Sequence, residues 1–312
     1  MQIYLTDVEN LINFLRLSEE NQKKILKRPK FPLLIPYELA KKIKKNDLND
    51  PILRQYVPLI EEEKFKENYL KDPLQEEKFS NEKFIKKYKN RALLLCTSNC
   101  FVHCRYCFRK FLKKVDNKTF ENELKLLEED KTINEIILSG GDPLTLPNKR
   151  LSDLFEKFEG MEHIKTIRFH TKALTTFPSR FDTQFFEILK KSKKQIIFVF
   201  HINHQSEIDD HAIELIEKLK SFNFLLFNQA VLLKNVNDNS QILEDLFKKL
   251  VKIGIVPYYL HNLDKVEGSS HFEVSKERGK RIMKELLENL PGYMVPRYVE
   301  EIPFEKSKTP IM

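Results

Sequence analysis

The stretch CFVHCRYC, residues 100–107, holds three of the four cysteines of this 312-residue chain within eight positions. Cys100 and Cys104 are separated by three residues, and Cys104 and Cys107 by two. Three thiolates hold three irons of a [4Fe-4S] cluster and leave the fourth iron open to the amino and carboxylate groups of S-adenosylmethionine. The stretch therefore predicts a site at which electron transfer splits a carbon–sulfur bond and yields a 5′-deoxyadenosyl radical.

A structural zinc site is the alternative, with Cys96 as the fourth thiolate of a closed tetrahedron. The two short ligand pairs typical of zinc knuckles are missing, however, and Cys96 ends the apolar run 92–96, where a strand would bury it. We therefore expect Cys96 to be a buried, inert thiol. Joined to the net charge of +8, the zinc alternative also gives a second class of function, a zinc-dependent nucleic-acid-binding protein.

Composition indicates one large α/β domain with additions, since 41% of the residues are apolar. Clustered cysteines do not resemble a secreted disulfide framework, and cluster-binding thiols persist in a reducing compartment, so we expect a cytoplasmic protein. The start MQIYLTDVEN lacks the features of a secretory signal, and no stretch reaches the length of a membrane span. The 54 basic and 46 acidic residues are interleaved, which predicts neither a membrane nor a nucleic-acid partner.

Hydrophobic periodicity divides the chain into an N-terminal helical wrap (1–90), a core (91–275) and a C-terminal helix, strand and tail (276–312). The predicted N-terminal helices are Asp7–Leu17, Pro36–Lys45 and Asp50–Leu59. The predicted core strands are Leu93–Cys96, Glu135–Leu138, Thr166–His170, Ile196–Phe200, Phe224–Leu233 and Val256–His261. The predicted helices between them are Phe120–Glu129, Leu151–Phe158, Asp182–Lys191, His211–Phe222 and Ile242–Ile253, and the last segment adds Arg278–Asn289 and a strand at Tyr293–Val299. This alternation predicts a partial TIM-like (β/α)6 barrel with its chemistry at the carboxyl ends of the strands.

Polar motifs follow two of these predicted strands. Gly140, Gly141 and Asp142 follow the second strand, where adjacent glycines let the backbone approach a ligand closely, although a plain turn is the alternative. His201 and Asn203 follow the fourth strand and place polar groups at the expected rim of the barrel. Structural roles without a ligand are the alternative for both.

Longer strings resemble a known family. The spacing of the three cysteines resembles the signature of radical S-adenosylmethionine (SAM) enzymes, and the chain as a whole is similar to the lysine 2,3-aminomutase family. The strings are LLLCTSNCFVHCRYCFRK, ILSGGDPL, HINHQSEI, NQAVLLKNVNDN, PYYLHNLDKVEGSSHF, GYMVP and SKTP, and with KYKNRALLL and DPILRQ they cover nearly the whole chain in the family's order. The resemblance implies a radical SAM barrel that moves the α-amino group of L-lysine to the β-carbon, with a [4Fe-4S] cluster, SAM and pyridoxal 5′-phosphate (PLP). It also implies an external electron donor and a homodimer, and it places Gly140, Gly141, Asp142, His201 and Asn203 in the SAM region.

The resemblance further implies how PLP is held. Lys308, in the terminal SKTP, matches the lysine that forms a Schiff base with PLP, for which a primary amine is required. Arg91 matches a residue that binds the PLP phosphate, to which an arginine fork is well suited. Lys87 stands where other members carry a second arginine, so a phosphate contact from Lys87 stays open.

Substrate-binding residues are implied in the same way. Arg109 matches the residue that pairs with the substrate α-carboxylate, and Asp264 and Glu301 match two acidic positions that hold the distant ammonium of lysine. Opposite charges at the two ends of the site would favour lysine over neutral amino acids. Ordinary salt bridging is the alternative for both acids.

The C-terminal part of the chain resembles one subtype of the family. Members that act on free lysine carry further cysteines for a structural zinc in a C-terminal extension, whereas here no cysteine follows Cys107. We therefore expect the shorter subtype, whose β-lysine product modifies elongation factor P, with a link to that modification machinery. A free-lysine aminomutase serving another pathway is the alternative.

Overall fold

The computed structural model of the protein describes residues 3–81, 83–116 and 118–311. Its N-terminal layer consists of short helices and a two-stranded antiparallel ribbon. Their bounds are β1 Tyr4–Leu5, α1 Val8–Leu15, α2 Glu19–Gln22, β2 Ile35–Pro36, α3 Tyr37–Ala40 and α4 Pro51–Tyr56. These elements bury their apolar side chains in a cluster of their own, which includes Leu11, Ile35 and Leu53.

Local signals explain where the N-terminal helices begin and end. The side chain of Asp7 accepts a hydrogen bond from Asn10 N (2.8 Å) before α1, and that of Asp50 accepts from two backbone amides at the start of α4. Arg16 adopts a left-handed conformation that ends α1, and Pro58 disfavours a helical conformation at the residue before it, where α4 ends. The predicted segments 7–17, 36–45 and 50–59 therefore each contain a helix, but a shorter one than predicted.

A single sheet forms the centre of the molecule. Its strands before and in the core are β3 Ser80–Asn81, β4 Phe84–Ile85, β5 Arg91–Thr97, β6 Glu135–Gly140, β7 Thr166–Thr171, β8 Gln195–Phe200, β9 Leu225–Val231 and β10 Val256–His261. The C-terminal segment adds β11 Arg297–Glu300 and β12 Thr309–Pro310. Within the described ranges the sheet follows chain order from β3 to β12, and β5 to β10 pair in parallel as an open barrel. Strands from all three predicted segments thus share one sheet.

Helices cover the outer face of the sheet. They are α5 Glu121–Glu129, α6 Asn148–Glu159, α7 Ala173–Thr176, α8 Thr183–Lys191, α9 Asp210–Lys220, α10 Ser240–Lys252 and α11 Lys276–Asn289. No helix within the described ranges combines the length and apolar character needed to cross a membrane.

Strand alternation decides which side chains reach the interior of the barrel. In β7, Ile167 and Phe169 belong to the main hydrophobic core, where the rings of Phe169 and Phe198 of β8 stack at 5.1 Å. Arg168 and His170 occupy the alternate positions and line the interior cavity. The sequence pattern thus supplies an apolar outer face and a polar inner face along the same strand.

Candidate active site

A cavity of about 290 Å³ opens at the carboxyl ends of the barrel strands. Every residue that the sequence analysis predicts to have a role in the site lines this cavity: Arg91, Cys100, Cys104, Cys107, Arg109, Gly140, Gly141, Asp142, His201, Asn203, Asp264, Glu301 and Lys308. Lys87 lines it too. The structure therefore brings these residues together, while their contacts with cofactors and substrate stay predictions.

The loop that carries the three cysteines follows β5 and is held by the N-terminal layer. His103 N donates to Leu34 O (3.0 Å), and Arg105 N donates to Gln55 O (2.9 Å). The fully buried Arg105 side chain forms a bidentate pair with Glu62, with nitrogen–oxygen distances of 2.6 and 2.7 Å. The loop is thus positioned by residues that precede the barrel in the chain.

The donor set of this loop fits an iron–sulfur cluster. Burial raises the pKa of Cys100 well above its ordinary value and that of Cys104 to about 12, and the neighbouring cysteines add to the rise at Cys100. Thiolates that are desolvated and repel one another need a nearby cation to stabilise them. The irons of a cluster provide this positive charge. No group of three His, Cys, Asp or Glu side chains in the described ranges is spaced for a single metal ion. In a [4Fe-4S] cluster, by contrast, each thiolate binds a different iron.

Cys96 lies apart from the other three cysteines. Its side chain is completely buried in the main hydrophobic core, and burial raises its pKa to about 12. A closed zinc site that uses Cys96 as its fourth ligand is therefore contradicted, and the prediction of a buried thiol at this position agrees with the structure.

The two glycines after β6 allow two segments of backbone to pack closely. Gly141 N donates to Thr97 O (2.6 Å), and a Cβ at Gly141 would lie 2.1 Å from Asn99 O. Gly140 has φ +111°, a conformation that side chains disfavour. The close approach that the sequence suggested for a ligand is thus made, in this structure, to the backbone just before Cys100.

Asp142 and Asn203 use their polar atoms within the protein. Asp142 accepts from Thr171 Oγ1 (2.8 Å) and from Lys172 N (2.9 Å). The amide of Asn203 donates to Tyr106 OH (2.6 Å) and accepts from Val231 N (2.8 Å). Both residues therefore fix the positions of neighbouring loops, and their place in the SAM region stays a prediction.

Three imidazoles line the cavity. Burial lowers the pKa of His201 to about 3 and the pKa values of His170 and His261 well below their ordinary value, so all three rings are neutral. Nε2 of His170 and of His261 and Nε of Arg168 are buried without a hydrogen-bond partner. Buried polar atoms are normally paired, so these nitrogens fit a polar ligand in the cavity.

Glu301, which directly follows β11, forms ion pairs with two lysines. Its carboxylate oxygens lie 2.6 Å from Lys87 Nζ and 2.6 Å from Lys308 Nζ. These ammonium groups lower the pKa of Glu301, against the effect of burial. Burial raises the pKa of nearby Asp264 to about 7. Lys308 is therefore placed beside the acids predicted to hold the substrate ammonium.

Two arginines of the cavity lining are predicted to bind anionic groups. The guanidinium of Arg91 lies 3.9 Å from the ring centroid of Tyr88. Arg109 forms a bidentate pair with Glu76, with distances of 2.7 Å from Nε and 2.6 Å from NH2. An arginine in this cavity suits the phosphate of PLP, and Lys308 supplies the primary amine that PLP requires, so the residues present fit that group.

The sequence analysis did not predict Glu76, Lys172 or Glu207, which also bear on the site. Lys172 lines the cavity, pairs with the fully buried Glu207 (3.4 Å) and opposes the rise in the pKa of Cys104. Because Lys172 directly follows β7, the rule that chemistry gathers at strand ends could have identified it. Glu76 begins a single turn of 3-10 helix, Glu76–Phe79, which precedes the barrel, and it has no comparable sequence signal.

Comparisons with known proteins agree with this architecture. Residues 94–250, half of the chain, match the radical SAM superfamily. The chain is 36% identical over 313 residues to the L-lysine 2,3-aminomutase of Escherichia coli strain K12, an alignment that covers 98% of this chain and 92% of that protein. It is 38% identical to the protein of the same name from Buchnera aphidicola, over 97% and 92% of the two chains, and 30% identical to that from Clostridium subterminale, over 98% and 75%.

A solved structure supports the same fold. Streptococcus suis SuiB bound to S-adenosylmethionine superposes with a TM-score of 0.51 at 16% identity, over 72% of this chain and 53% of that chain. This similarity concerns the fold alone. The predicted radical SAM barrel and the predicted family are thus confirmed: the chain belongs to the radical SAM superfamily and, within it, to the L-lysine 2,3-aminomutase family of isomerases.

Proposed function

We propose that this protein converts L-lysine to β-lysine by moving the α-amino group to the β-carbon. The observation that carries the proposal is the single cavity that joins three cysteine thiols to a lysine amine, two acids and two arginines. Radical chemistry and amino-group transfer both need these groups around one small substrate, and a buried cavity keeps solvent away from the reacting atoms.

The cofactors would be held by separate parts of the cavity. Cys100, Cys104 and Cys107 would bind the [4Fe-4S] cluster, Lys308 would bind PLP, and Arg91 would bind its phosphate. When bound, the cluster with SAM supplies a carbon-centred radical, and PLP carries the amino group that migrates. An external electron donor is required to reduce the cluster.

The substrate would be held at both ends by charge. Arg109 would bind the α-carboxylate, and Asp264 and Glu301 would bind the distant ammonium. Glu301 pairs with Lys87 and Lys308 in the structure, so these two lysines occupy the carboxylate that the substrate ammonium would use. In this arrangement Lys87 forms an ion pair with Glu301, and a contact from Lys87 to the PLP phosphate is not required.

Reconstitution under anaerobic conditions tests this function. Protein supplied with iron, sulfide, dithionite, SAM, PLP and L-lysine should form β-lysine, detected by mass-resolved chromatography. Lys308→Ala should lose both the product and the absorbance of bound PLP while keeping its iron, because only the amine that holds PLP has been removed. Lys306→Ala, an exposed neighbour, is the control and should behave like the wild type. Absence of β-lysine with iron and both organic cofactors verified in place would contradict the proposal.

For the cellular role, we propose that the β-lysine serves modification of elongation factor P in the cytoplasm and that the enzyme acts as a homodimer. The chain is 36% and 38% identical to its relatives from Escherichia coli and Buchnera aphidicola and 30% identical to the one from Clostridium subterminale, so it is more similar to the first two. Deleting the gene should abolish the β-lysyl mass on elongation factor P. Persistence of that mass would instead favour a free-lysine enzyme of another pathway.

A further inference from the structure

The guanidinium of Arg109 is fixed by groups from separate parts of the chain. Nε donates to Glu76 Oε2 (2.7 Å), NH2 donates to Glu76 Oε1 (2.6 Å), and NH1 donates to Ser139 Oγ (3.1 Å). Arg109 follows the cysteine loop, Ser139 lies near the end of β6, and Glu76 comes from the segment before the barrel. A bidentate pair of this kind is strong and sets the plane of the guanidinium as well as its position.

The pairing leaves one edge of Arg109 for another ligand. A guanidinium has five N–H groups, and the contacts to Glu76 and Ser139 use three of them. Glu76 takes the edge formed by Nε and NH2, and Ser139 takes one N–H of NH1, so NH1 and NH2 each keep one N–H for a further acceptor. A contact of 3.5 Å from NH1 to Gly140 O is too long to compete strongly with a charged acceptor.

Glu76 also supplies the charge that a buried arginine needs. The side chain of Arg109 is 10% exposed and that of Glu76 is 23% exposed. The adjacent Glu76 carboxylate compensates the charge of this buried guanidinium. Glu77, the next residue, instead pairs with Lys113 at the surface, where both side chains are largely exposed.

We propose that Glu76 is a positioning residue that holds Arg109 by one edge, so that the NH1–NH2 edge is presented to the α-carboxylate of an amino-acid substrate. The inference rests on the proposed function, in which Arg109 binds that carboxylate. It predicts that Glu76 matters for ligands that carry an α-carboxylate and not for diamines that lack it. In the opposite arrangement, Glu76 would occupy the place of the substrate carboxylate and compete with it.

Ligand binding without turnover separates these arrangements. PLP-loaded protein, without SAM, is titrated with L-lysine or with 1,5-diaminopentane, and the Kd is read from the absorbance of the bound PLP. Glu76→Gln should raise the Kd for L-lysine roughly tenfold or more, the loss of one charged hydrogen-bonded pair, and leave the Kd for the diamine unchanged. Glu76→Asp should restore part of the lysine affinity. Glu77→Gln, the matched control on the same segment, should change neither Kd.

Turnover adds a second readout. In Glu76→Gln the KM for L-lysine should rise while kcat is preserved, because the residue acts on binding through Arg109. Equal or tighter binding of L-lysine by Glu76→Gln, or equal weakening for lysine and diamine, would overturn the inference. Wild-type protein that holds PLP but does not respond to L-lysine would overturn the proposed function as well, and thus the two failures are distinguishable.

Discussion

Burial keeps several ionisable groups of the cavity in their neutral forms. The imidazoles of His170, His201 and His261 have lowered pKa values, with desolvation as the main cause in each case. Charge in the cavity is instead concentrated in ion pairs such as that of Lys308 with Glu301. The neutral groups offer hydrogen bonds without adding competing charge near a substrate that carries both signs.

The raised pKa of Asp264 predicts a pH dependence of stability in the cofactor-free protein. Its pKa is about 7 in the folded protein and 3.8 when unperturbed, so the folded state binds an extra proton between these values. The contribution of this proton to the free energy of unfolding is fully present below about pH 4 and is lost as the pH rises through about 7. The free energy of unfolding changes by at most about 4 kcal/mol over this range. Urea unfolding of the wild type and Asp264→Asn at about pH 5 and pH 7 measures it. The free energy of unfolding should fall less between about pH 5 and pH 7 in Asp264→Asn than in the wild type. An identical fall in both proteins would contradict the assignment of this raised pKa to Asp264.

The sequence could predict which residues line the cavity but not how they pair. Cys107, Arg109 and Asp264 follow barrel strands, and the carboxyl ends of neighbouring parallel strands meet at one edge of the sheet, so their convergence follows from topology. The pairing of Arg109 with Glu76 depends on where a short 3-10 turn, more than 30 residues earlier in the chain, packs against the barrel. Periodicity contains no information about such a contact, which is why Glu76 was not predicted.

At the scale of elements, the turn after β6 is fitted against the start of the cysteine loop. Gly141→Ala places a Cβ 2.1 Å from a backbone oxygen of Asn99, so backbone must shift. We expect a loss of roughly 1–3 kcal/mol in the free energy of unfolding and reduced iron after reconstitution, because the shifted segment leads directly into Cys100. Thermal unfolding and iron analysis measure both effects.

Gly292→Ala is the control for this substitution, since a Cβ at Gly292 would meet nothing within 4 Å. Its stability and iron content should match those of the wild type. If the two variants retained the same iron, the close packing at Gly141 would have no bearing on the cluster site.

Periodicity predicted the long elements and missed the short ones for a physical reason. α10 and α11 have an apolar stripe along their length, so their patterns identified them to within about four residues. β3, β4 and β12 each contain two residues, too few to show any alternation. These strands form because the edges of the barrel sheet are available to pair with them, which is a property of the assembled sheet.

At the scale of the whole molecule, one buried carboxylate links the N-terminal layer to the barrel. Glu207 is completely buried after β8 and accepts from Tyr56 OH (3.1 Å) and Gln55 Nε2 (3.3 Å) of α4. It also accepts from Asn203 N (2.8 Å) and pairs with Lys172 at 3.4 Å. These contacts lower the pKa of Glu207 despite its burial, with Lys172 as the main cause of the lowering. The layer and the barrel therefore depend on one network beside the cysteine loop.

Removing one charge of this network should destabilise the whole molecule. Lys172→Met leaves the Glu207 carboxylate buried without its cation, which costs about 3–5 kcal/mol in the free energy of unfolding, towards the lower end because Tyr56 and Gln55 still donate. The double variant Lys172→Met/Glu207→Gln should recover part of this loss, since no uncompensated charge remains. Lys113→Met, which breaks an exposed pair with Glu77, should leave the stability close to that of the wild type, because solvent screens this pair. Denaturant unfolding of the cofactor-free proteins measures these variants together with the single variant Glu207→Gln. A double variant as unstable as the sum of its two single changes would show that the two residues act independently.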